Sequence, residues 1–269
     1  MGKFDDLSGH CAIVTGATGG IGSRFAMELA KRGCEVILVD INEELLLKTA
    51  DKISKSTGSY IFILTLDLTL PGITKNINAF CEESGLDPDI LINNAGIFSF
   101  SPVVETKQKK IDTFIDLHIR AVTTLSRWFA RKRANRGSGW ILNMSSMSCW
   151  MPMPGLAMYA STKAYIRVFT RALHYEMKDY GVGVTVACPG GIATNLFGLP
   201  ENLKGLAVRI GVLDTPEKFA RKAIDRMLRK KKQYVNGWLN RLSIFFVGVT
   251  PTPVRMMVKH RLLDKGIVR

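Results

Sequence analysis

The chain has 269 residues, 46% of them apolar and 22% charged, with a formal net charge of +14. That balance excludes a disordered or fibrous chain and leaves enough length to bury the core of one α/β domain. Its five cysteines are scattered without CxxC or metal-ligand spacing, which argues against a disulfide framework or a metal centre and predicts reduced, mostly buried thiols.

The opening Met1-Gly2-Lys3-Phe4-Asp5-Asp6 is charged and lacks an apolar signal-peptide core, so a cytoplasmic protein is expected. Cys11-Ala12-Ile13-Val14 is a short apolar run ending in Thr15-Gly16, a buried strand. Helical spacing follows from about Ile21 to Arg32 and stops at Gly33. Val36 to Val39 is a second strand closing on Asp40, a helix is expected from about Glu43 to Ser54, and Tyr60 to Leu66 reads as a third strand closing on Asp67. A helix over about 73–83 leads to the strand Ile90-Leu91-Ile92. One long helix is expected from about Lys109 to Arg133, then the strand Trp140 to Asn143, a helix from about Met158 to Asp179, and the strand Val184 to Ala187. This β-α alternation predicts a parallel sheet with helices on both faces. Beyond Pro189 the pattern loosens: residues 198–211 read as a loop with short helical pieces. Thr215-Pro216-Glu217 opens a helix to about Arg229, and a last edge strand follows near Tyr234.

Gly16-Ala17-Thr18-Gly19-Gly20-Ile21-Gly22 lies where the first strand turns into the first helix. Glycines there permit a tight turn and close approach to a pyrophosphate, and the helix N-terminus adds free N–H groups. Asp40, ending the second strand, can accept hydrogen bonds from adenosine ribose hydroxyls and would repel a 2′-phosphate. Neither Gly19 nor Ile41 supplies a cation for such a phosphate, so NAD(H) is favoured over NADP(H). An Asp at that place can also cap the next helix. Asp67 and Leu68 are placed to meet the adenine, and Asn94, Ala95 and Gly96 should line the nicotinamide side. Tyr159 and Lys163 stand four apart, on one face of a helix. A fixed ammonium there favours the phenolate and draws the phenol down from its usual ~10, making it a usable acid/base.

Thr15-Gly16-x-x-x-Gly20-Ile21-Gly22, Asn93-Asn94-Ala95-Gly96, Ser146, Tyr159-x-x-x-Lys163 and Pro189-Gly190-x-x-x-Thr194 together resemble the motifs of the short-chain dehydrogenase/reductase family, in its order and spacing, over roughly residues 8–235. The resemblance implies a single Rossmann-like domain with a doubly wound parallel sheet of about seven strands, here 1–237, and hydride exchange between a nicotinamide cofactor and a carbonyl/alcohol pair. It implies that Tyr159 is the general acid or base, that Lys163 holds the nicotinamide ribose, and that Ser146, rather than Ser145 or Ser148, hydrogen-bonds the substrate oxygen. Pro189, Gly190, Ile192 and Thr194 would close over the carboxamide end. It further implies a homodimer or homotetramer. The family's usual asparagine in the long helix is replaced by His118, for which a water-relay role and simple packing are both open.

Met147, Trp150, Met151, Met153, Leu196, Phe197 and Leu199 flank these motifs and predict an apolar substrate pocket. A lipophilic alcohol or ketone is expected, steroid-like or a long-chain 3-oxo lipid. A 3-oxoacyl-acyl carrier protein reductase-like enzyme is the alternative, and a non-catalytic dinucleotide-sensing module a remote one. From Lys204 to the end the chain carries sixteen Lys/Arg against four Asp/Glu, so the positive charge is concentrated there. The extension 238–269 is basic and amphipathic, suited to a peripheral membrane contact, a lid or a subunit contact. Nucleic acid is not expected, because no reading module accompanies the charge.

Overall fold

The structure, a computed structural model, describes residues 6–192 and 214–264. Seven parallel strands form one sheet: β1 (Cys11–Thr15), β2 (Glu35–Asp40), β3 (Ile61–Thr65), β4 (Ile90–Asn93), β5 (Gly139–Met144), β6 (Val182–Ala187) and β7 (Gln233–Tyr234). Their order is β3-β2-β1-β4-β5-β6-β7. Because successive strand side chains point to opposite faces, each strand feeds two cores. On one face Ala12, Val14, Val36, Leu38, Ile90 and Ile92 pack against Phe25 and Leu29 of α1 (Gly22–Lys31) and Phe219 of α7 (Pro216–Leu228). On the other, Ile13, Ile37, Leu91, Ile141 and Val184 meet Ile77 of α3 (Ile73–Glu83), Phe129 of α5 (Val122–Ala134) and Leu173 of α6 (Ala157–Glu176). α2 (Glu43–Thr57) covers β2 and β3; its N-cap is Asn42, whose side chain accepts from Leu45 N at 2.9 Å, so Asp40 is not the cap.

Strand order reverses between β1 and β4, and the loops leaving the carboxyl ends of those two strands therefore diverge and open a crevice. The long helix expected after β4 is divided. α4 (Gln108–Ile115) passes into a π-helical segment, Asp116–Ala121, before α5 resumes the regular pitch. The bulge accommodates one extra residue in the turn and carries His118 into the interior, where the imidazole is fully buried. Beyond β7 the extension is helical: α8 (Trp238–Gly248), α9 (Thr252–Val258) and a π-helical turn, Lys259–Asp264. Among the described residues no helix is long and apolar enough to cross a membrane. All five cysteines are free thiols, and burial pushes Cys11 up to about 12.

Candidate active site

The crevice is a cleft of about 850 Å³. One end is built on the β1–α1 turn. Gly16 has φ +62, and a Cβ there would fall 2.7 Å from the Ala95 backbone. Asn94 fixes this approach: its Nδ2 donates to the Thr15 and Gly16 carbonyls, each at 3.1 Å, while Thr15 Oγ1 accepts from the Asn94 and Ala95 amides at 3.0 and 3.1 Å. Gly16, Thr18, Gly20 and Ile21 line the cleft; Gly22 does not. A side chain at Gly22 would collide with the Gly16 carbonyl, so packing of the turn by itself requires glycine here, apart from any ligand contact. Sequence spacing alone cannot separate those two uses of a glycine.

Asp40 lines the same end. Its Oδ2 accepts from Thr18 N at 3.0 Å and Thr18 Oγ1 at 2.7 Å, and its Oδ1 accepts from Ile41 N at 2.8 Å. The carboxylate thus ties β2 to the glycine turn while facing the cleft. Asp67 and Leu68 form the neighbouring wall, with Asp67 Oδ1 held by Thr69 N at 2.9 Å and Thr69 Oγ1 at 2.7 Å. Arg24, which sequence spacing did not single out, also lines this end and pairs with Glu217 at 2.8 Å.

At the other end the cleft is lined by Asn94, Ala95, Gly96, Ser146, Tyr159, Lys163, Pro189, Gly190 and Ile192. The β5 end, β6 end and α6 converge here. Ser145 N donates to Ala187 O at 2.8 Å, and Ser145 Oγ to the Lys163 carbonyl at 2.7 Å. Ser145 also lines the cleft beside Ser146, but its hydroxyl is taken up in joining strand to helix. The Ser146 hydroxyl accepts from Ser148 N at 3.1 Å and neighbours the Tyr159 phenol. The Lys163 ammonium is buried, donates to Met144 O at 3.0 Å, and lies 5.8 Å from the Tyr159 ring centre.

The protonation balance differs from the sequence expectation. Desolvation raises the Tyr159 pKa, against the lowering effect of the Ser146 hydrogen bond. Burial brings Lys163 down to about 8. The ammonium is directed at a backbone carbonyl and not at the phenol oxygen, so it does not draw the phenol down. Tyr159 is accordingly a protonated phenol at neutral pH, a proton donor by default.

His118 does not line the cleft. Its Nε2 accepts from Ile97 N at 3.0 Å and its Nδ1 meets Thr162 Oγ1 at 2.9 Å. An acceptor Nε2 places the ring proton on Nδ1, and the Thr162 hydroxyl passes its own proton to the Met158 and Tyr159 carbonyls, both at 3.0 Å. Both ring nitrogens are therefore used by protein partners, one in the loop after β4 and one in α6. Burial, then the Lys163 charge, lowers His118 from 6.5 to about 2. The folded chain thus binds fewer protons here than the unfolded chain at any pH between those values. The His118 contribution is complete above 6.5 and is lost as pH falls below it, by up to ~1.4 kcal/mol per pH unit. Urea denaturation between pH ~5 and ~7 should show a wild-type slope that His118→Asn reduces; identical slopes would place the acid sensitivity elsewhere.

None of the expected substrate-wall residues that the structure describes lines this cleft. Met147 and Trp150 sit on a 3-10 turn (Met147–Trp150) that carries them away from the cleft. They pack into a small cluster with Val122, Ile166, Val186 and Val235, and Arg167 stacks on the Trp150 ring at 4.4 Å. Met151 and Met153 are partly buried and are not among the cleft residues either. Thr194, Leu196, Phe197 and Leu199 lie outside the described residues. Apolar surface comes instead from Ile97, Phe98 and Leu117, with the Phe98 ring edge-on to Tyr159 at 5.0 Å. Ile97 and Phe98 directly follow the Asn-Asn-Ala-Gly turn, while Leu117 comes from the π-helical segment.

A doubly wound parallel sheet with a glycine turn at its switch point, and a Ser/Tyr/Lys group in the same crevice, defines a Rossmann-type dinucleotide-binding protein. The family model described as short chain dehydrogenase matches residues 10–201. The chain belongs to the short-chain dehydrogenase family. It is 36% identical over 193 residues to a very-long-chain 3-oxoacyl-CoA reductase of Anas platyrhynchos, covering 70% of this chain and 61% of that protein. It is 33% identical over 189 residues to a 17-beta-hydroxysteroid dehydrogenase type 3 of Mus musculus, covering 69% and 61%. To the probable oxidoreductase EphD of Mycobacterium tuberculosis it is 33% identical over 187 residues, 68% of this chain and 31% of that one. The chain therefore spans between a third and three-fifths of these relatives. Among solved structures, a 7beta-hydroxysteroid dehydrogenase superposes with TM-score 0.81 at 26% identity, over 91% of this chain and 94% of that one. A short-chain dehydrogenase from Sphingobium yanoikuyae in complex with NADPH shares the fold, with TM-score 0.74 at 24% identity over 94% and 96%.

Proposed function

We propose that this protein interconverts a lipophilic secondary alcohol and its ketone with a nicotinamide dinucleotide. The observation that carries the reading is the meeting of Ser146, Tyr159 and Lys163 in the crevice that the glycine turn and Asp40 close at its far end. A dinucleotide fits this geometry. The Gly16 turn leaves backbone room that a side chain would fill, and Asp40, Asp67 and Leu68 offer an adenosine-side wall. Thr18, Gly20 and Ile21 would hold the phosphates, and Ala95, Gly96, Lys163, Pro189, Gly190 and Ile192 the nicotinamide half. When bound, the dinucleotide supplies or accepts the hydride. Tyr159 gives its phenolic proton to the carbonyl oxygen in reduction and takes it back in oxidation. Ser146, beside the phenol in the same cleft, orients the substrate oxygen. Lys163 anchors the ribose, and its charge favours the phenolate once that proton has left. His118 positions the Gly96–Ile97 backbone against α6 and touches neither ligand.

The lipophilic class is supported by Ile97, Phe98 and Leu117, and by relatives named for 3-oxoacyl thioesters and hydroxysteroids. A 3-oxoacyl thioester is the second reading, favoured by the first of those names. Nicotinamide fluorescence across a panel of sterols and 3-oxoacyl thioesters tests both. Dinucleotide binding without turnover of any of them would leave a sensing module. A cytoplasmic protein with a membrane-surface contact and a homodimer or homotetramer belong to the same reading.

For the cofactor, Asp40 supports NAD(H). A specific observation favours NADP(H): Arg24 lines the cleft, and a structural neighbour was solved with NADPH. Glu217 neutralises Arg24 at 2.8 Å, so the Asp40 charge prevails in this reading. Asp40→Ala should then shift the NADPH-to-NADH affinity ratio toward NADPH by roughly tenfold, the effect of removing one like charge at a partly solvated site. An unchanged ratio in a binding titration would show that Asp40 does not set the preference.

A further inference from the structure

α8 is turned inside out. At 100° per residue Trp238, Leu242, Phe245, Phe246 and Val249 fall on one arc of the helix and the residue just beyond it. They are the exposed ones: Trp238 72%, Phe245 76%, Phe246 66% and Val249 73%. The inward side is thinner and more polar. Asn240 lies over Gly190, whose Cβ position it occupies, and Ile244 packs on the Trp150 cluster. Large aromatic side chains collected on the solvent side of a short helix mark a surface made to be covered.

The charge around that face indicates by what. Between Trp238 and Asp264 the extension carries Arg241, Arg255, Lys259 and Arg261 and no Asp or Glu. Lys259 and Arg261, on the turn that ends the described extension, are exposed. We propose that the outward face of α8 lies on an anionic lipid surface, with the basic side chains at its rim paired to lipid headgroups. A second copy of the chain is the poorer occupant, since a two-fold contact would set the same cations against each other, whereas an anionic leaflet neutralises them. Trp and Phe on one face with Lys and Arg beside them suit the boundary between headgroups and acyl chains. The helix spans Trp238–Gly248, far short of the ~20 residues needed to cross a bilayer, so it lies in the plane of the surface.

The inner side of α8 covers Gly190 and the 3-10 turn after Ser146, and Leu263 at the end of the extension reaches the Gly155 turn before α6. Docking therefore leaves α8 alone between the lipid boundary and the Ser146 end of the cleft. Resting on the lipophilic-substrate reading above, this holds the bilayer, the source of such a substrate, one helix away from the cleft that contains Tyr159.

The test is co-sedimentation of the full chain with vesicles of phosphatidylcholine containing phosphatidylserine, and with phosphatidylcholine alone. Binding is expected to the first and weakly to the second, and to fall as salt is added. Phe245→Ser with Phe246→Ser should weaken it about tenfold or more, and Lys259→Glu with Arg261→Glu should remove its salt dependence. Nicotinamide dinucleotide binding by these variants should match wild type, which shows that they are folded. Absence of vesicle binding by wild type, or undiminished binding by the Phe pair, overturns the proposal. So does a loss of oligomer in light scattering on Phe245→Ser/Phe246→Ser, which would assign the face to a second copy. Vesicle binding needs no turnover, so failure of the substrate reading would leave this result standing.

Discussion

Tyr159→Phe is expected to bind its dinucleotide with wild-type affinity and to reduce a ketone about 10³-fold more slowly, the usual weight of a positioned proton donor. The substitution removes one oxygen and leaves the ring. Phe98 still meets that ring edge-on, and the helix carrying Lys163 is unaltered. What disappears is the group that donates the proton. The direction of the Tyr159 shift adds a pH signature. A phenol raised by desolvation stays protonated throughout the neutral range. Reduction should thus be nearly flat there, while oxidation, which needs the phenolate, should accelerate as pH rises. Steady-state rates in both directions, with cofactor binding followed by fluorescence, check this. A Tyr159→Phe rate within a few-fold of wild type would remove Tyr159 from the chemistry.

Lys163→Met separates activity from stability. The ammonium is buried, and its pKa is about 8 against an ordinary 10.5. Between these values the unfolded chain binds more protons than the folded one, so wild-type stability rises with pH across that window. Below about 8 the cost of burying the charge is complete and constant. Methionine has nearly the same shape and no charge, and relieves a cost of roughly 3 kcal/mol. It forfeits the hydrogen bond to Met144 O, which returns about 1–2 kcal/mol. The variant should therefore be more stable than wild type at neutral pH by about 1–2 kcal/mol, and lose the rise in stability toward alkaline pH. Its turnover should nonetheless drop by about 10²-fold or more, with weakened dinucleotide binding, because nothing remains to hold the ribose or favour the phenolate. Chemical denaturation and kinetics on the same preparation provide both numbers. A destabilised Lys163→Met would show that the lysine is structural.

The sheet was legible in the sequence because parallel strands buried on both faces leave continuous apolar runs, as in Ala12-Ile13-Val14 and Val36-Ile37-Leu38-Val39. Their parallel direction followed from the alternation with helices, whereas the strand order did not. The residues gathered in the cleft were legible for a related reason: turns at the carboxyl ends of strands need particular residues, so Gly16, Asp40 and Asn94 stand out at fixed offsets from β1, β2 and β4. What escaped was whatever depends on the direction of a side chain. The π-helical bulge at His118 has no mark in the hydrophobic period of Lys109 to Arg133, yet it decides that the imidazole points inward to Ile97 N and Thr162. The 3-10 turn after Ser146 likewise sends Met147 and Trp150 to a core cluster, although their sequence neighbourhood suggested the cleft wall. Arg24 and Phe98 enter the cleft through tertiary placement alone. The pairing of Tyr159 with Lys163 at helical spacing was readable, but the carbonyl of Met144 that captures the ammonium was not.

A crystal structure of the chain with a nicotinamide dinucleotide and an unreactive lipophilic alcohol would decide most directly. Tyr159 Oη and Ser146 Oγ should both stand within hydrogen-bond reach of the alcohol oxygen, ~2.6–3.2 Å, with Lys163 Nζ on the ribose beside them. A dinucleotide bound away from these three side chains, or an alcohol oxygen that neither hydroxyl touches, would contradict proton transfer by Tyr159.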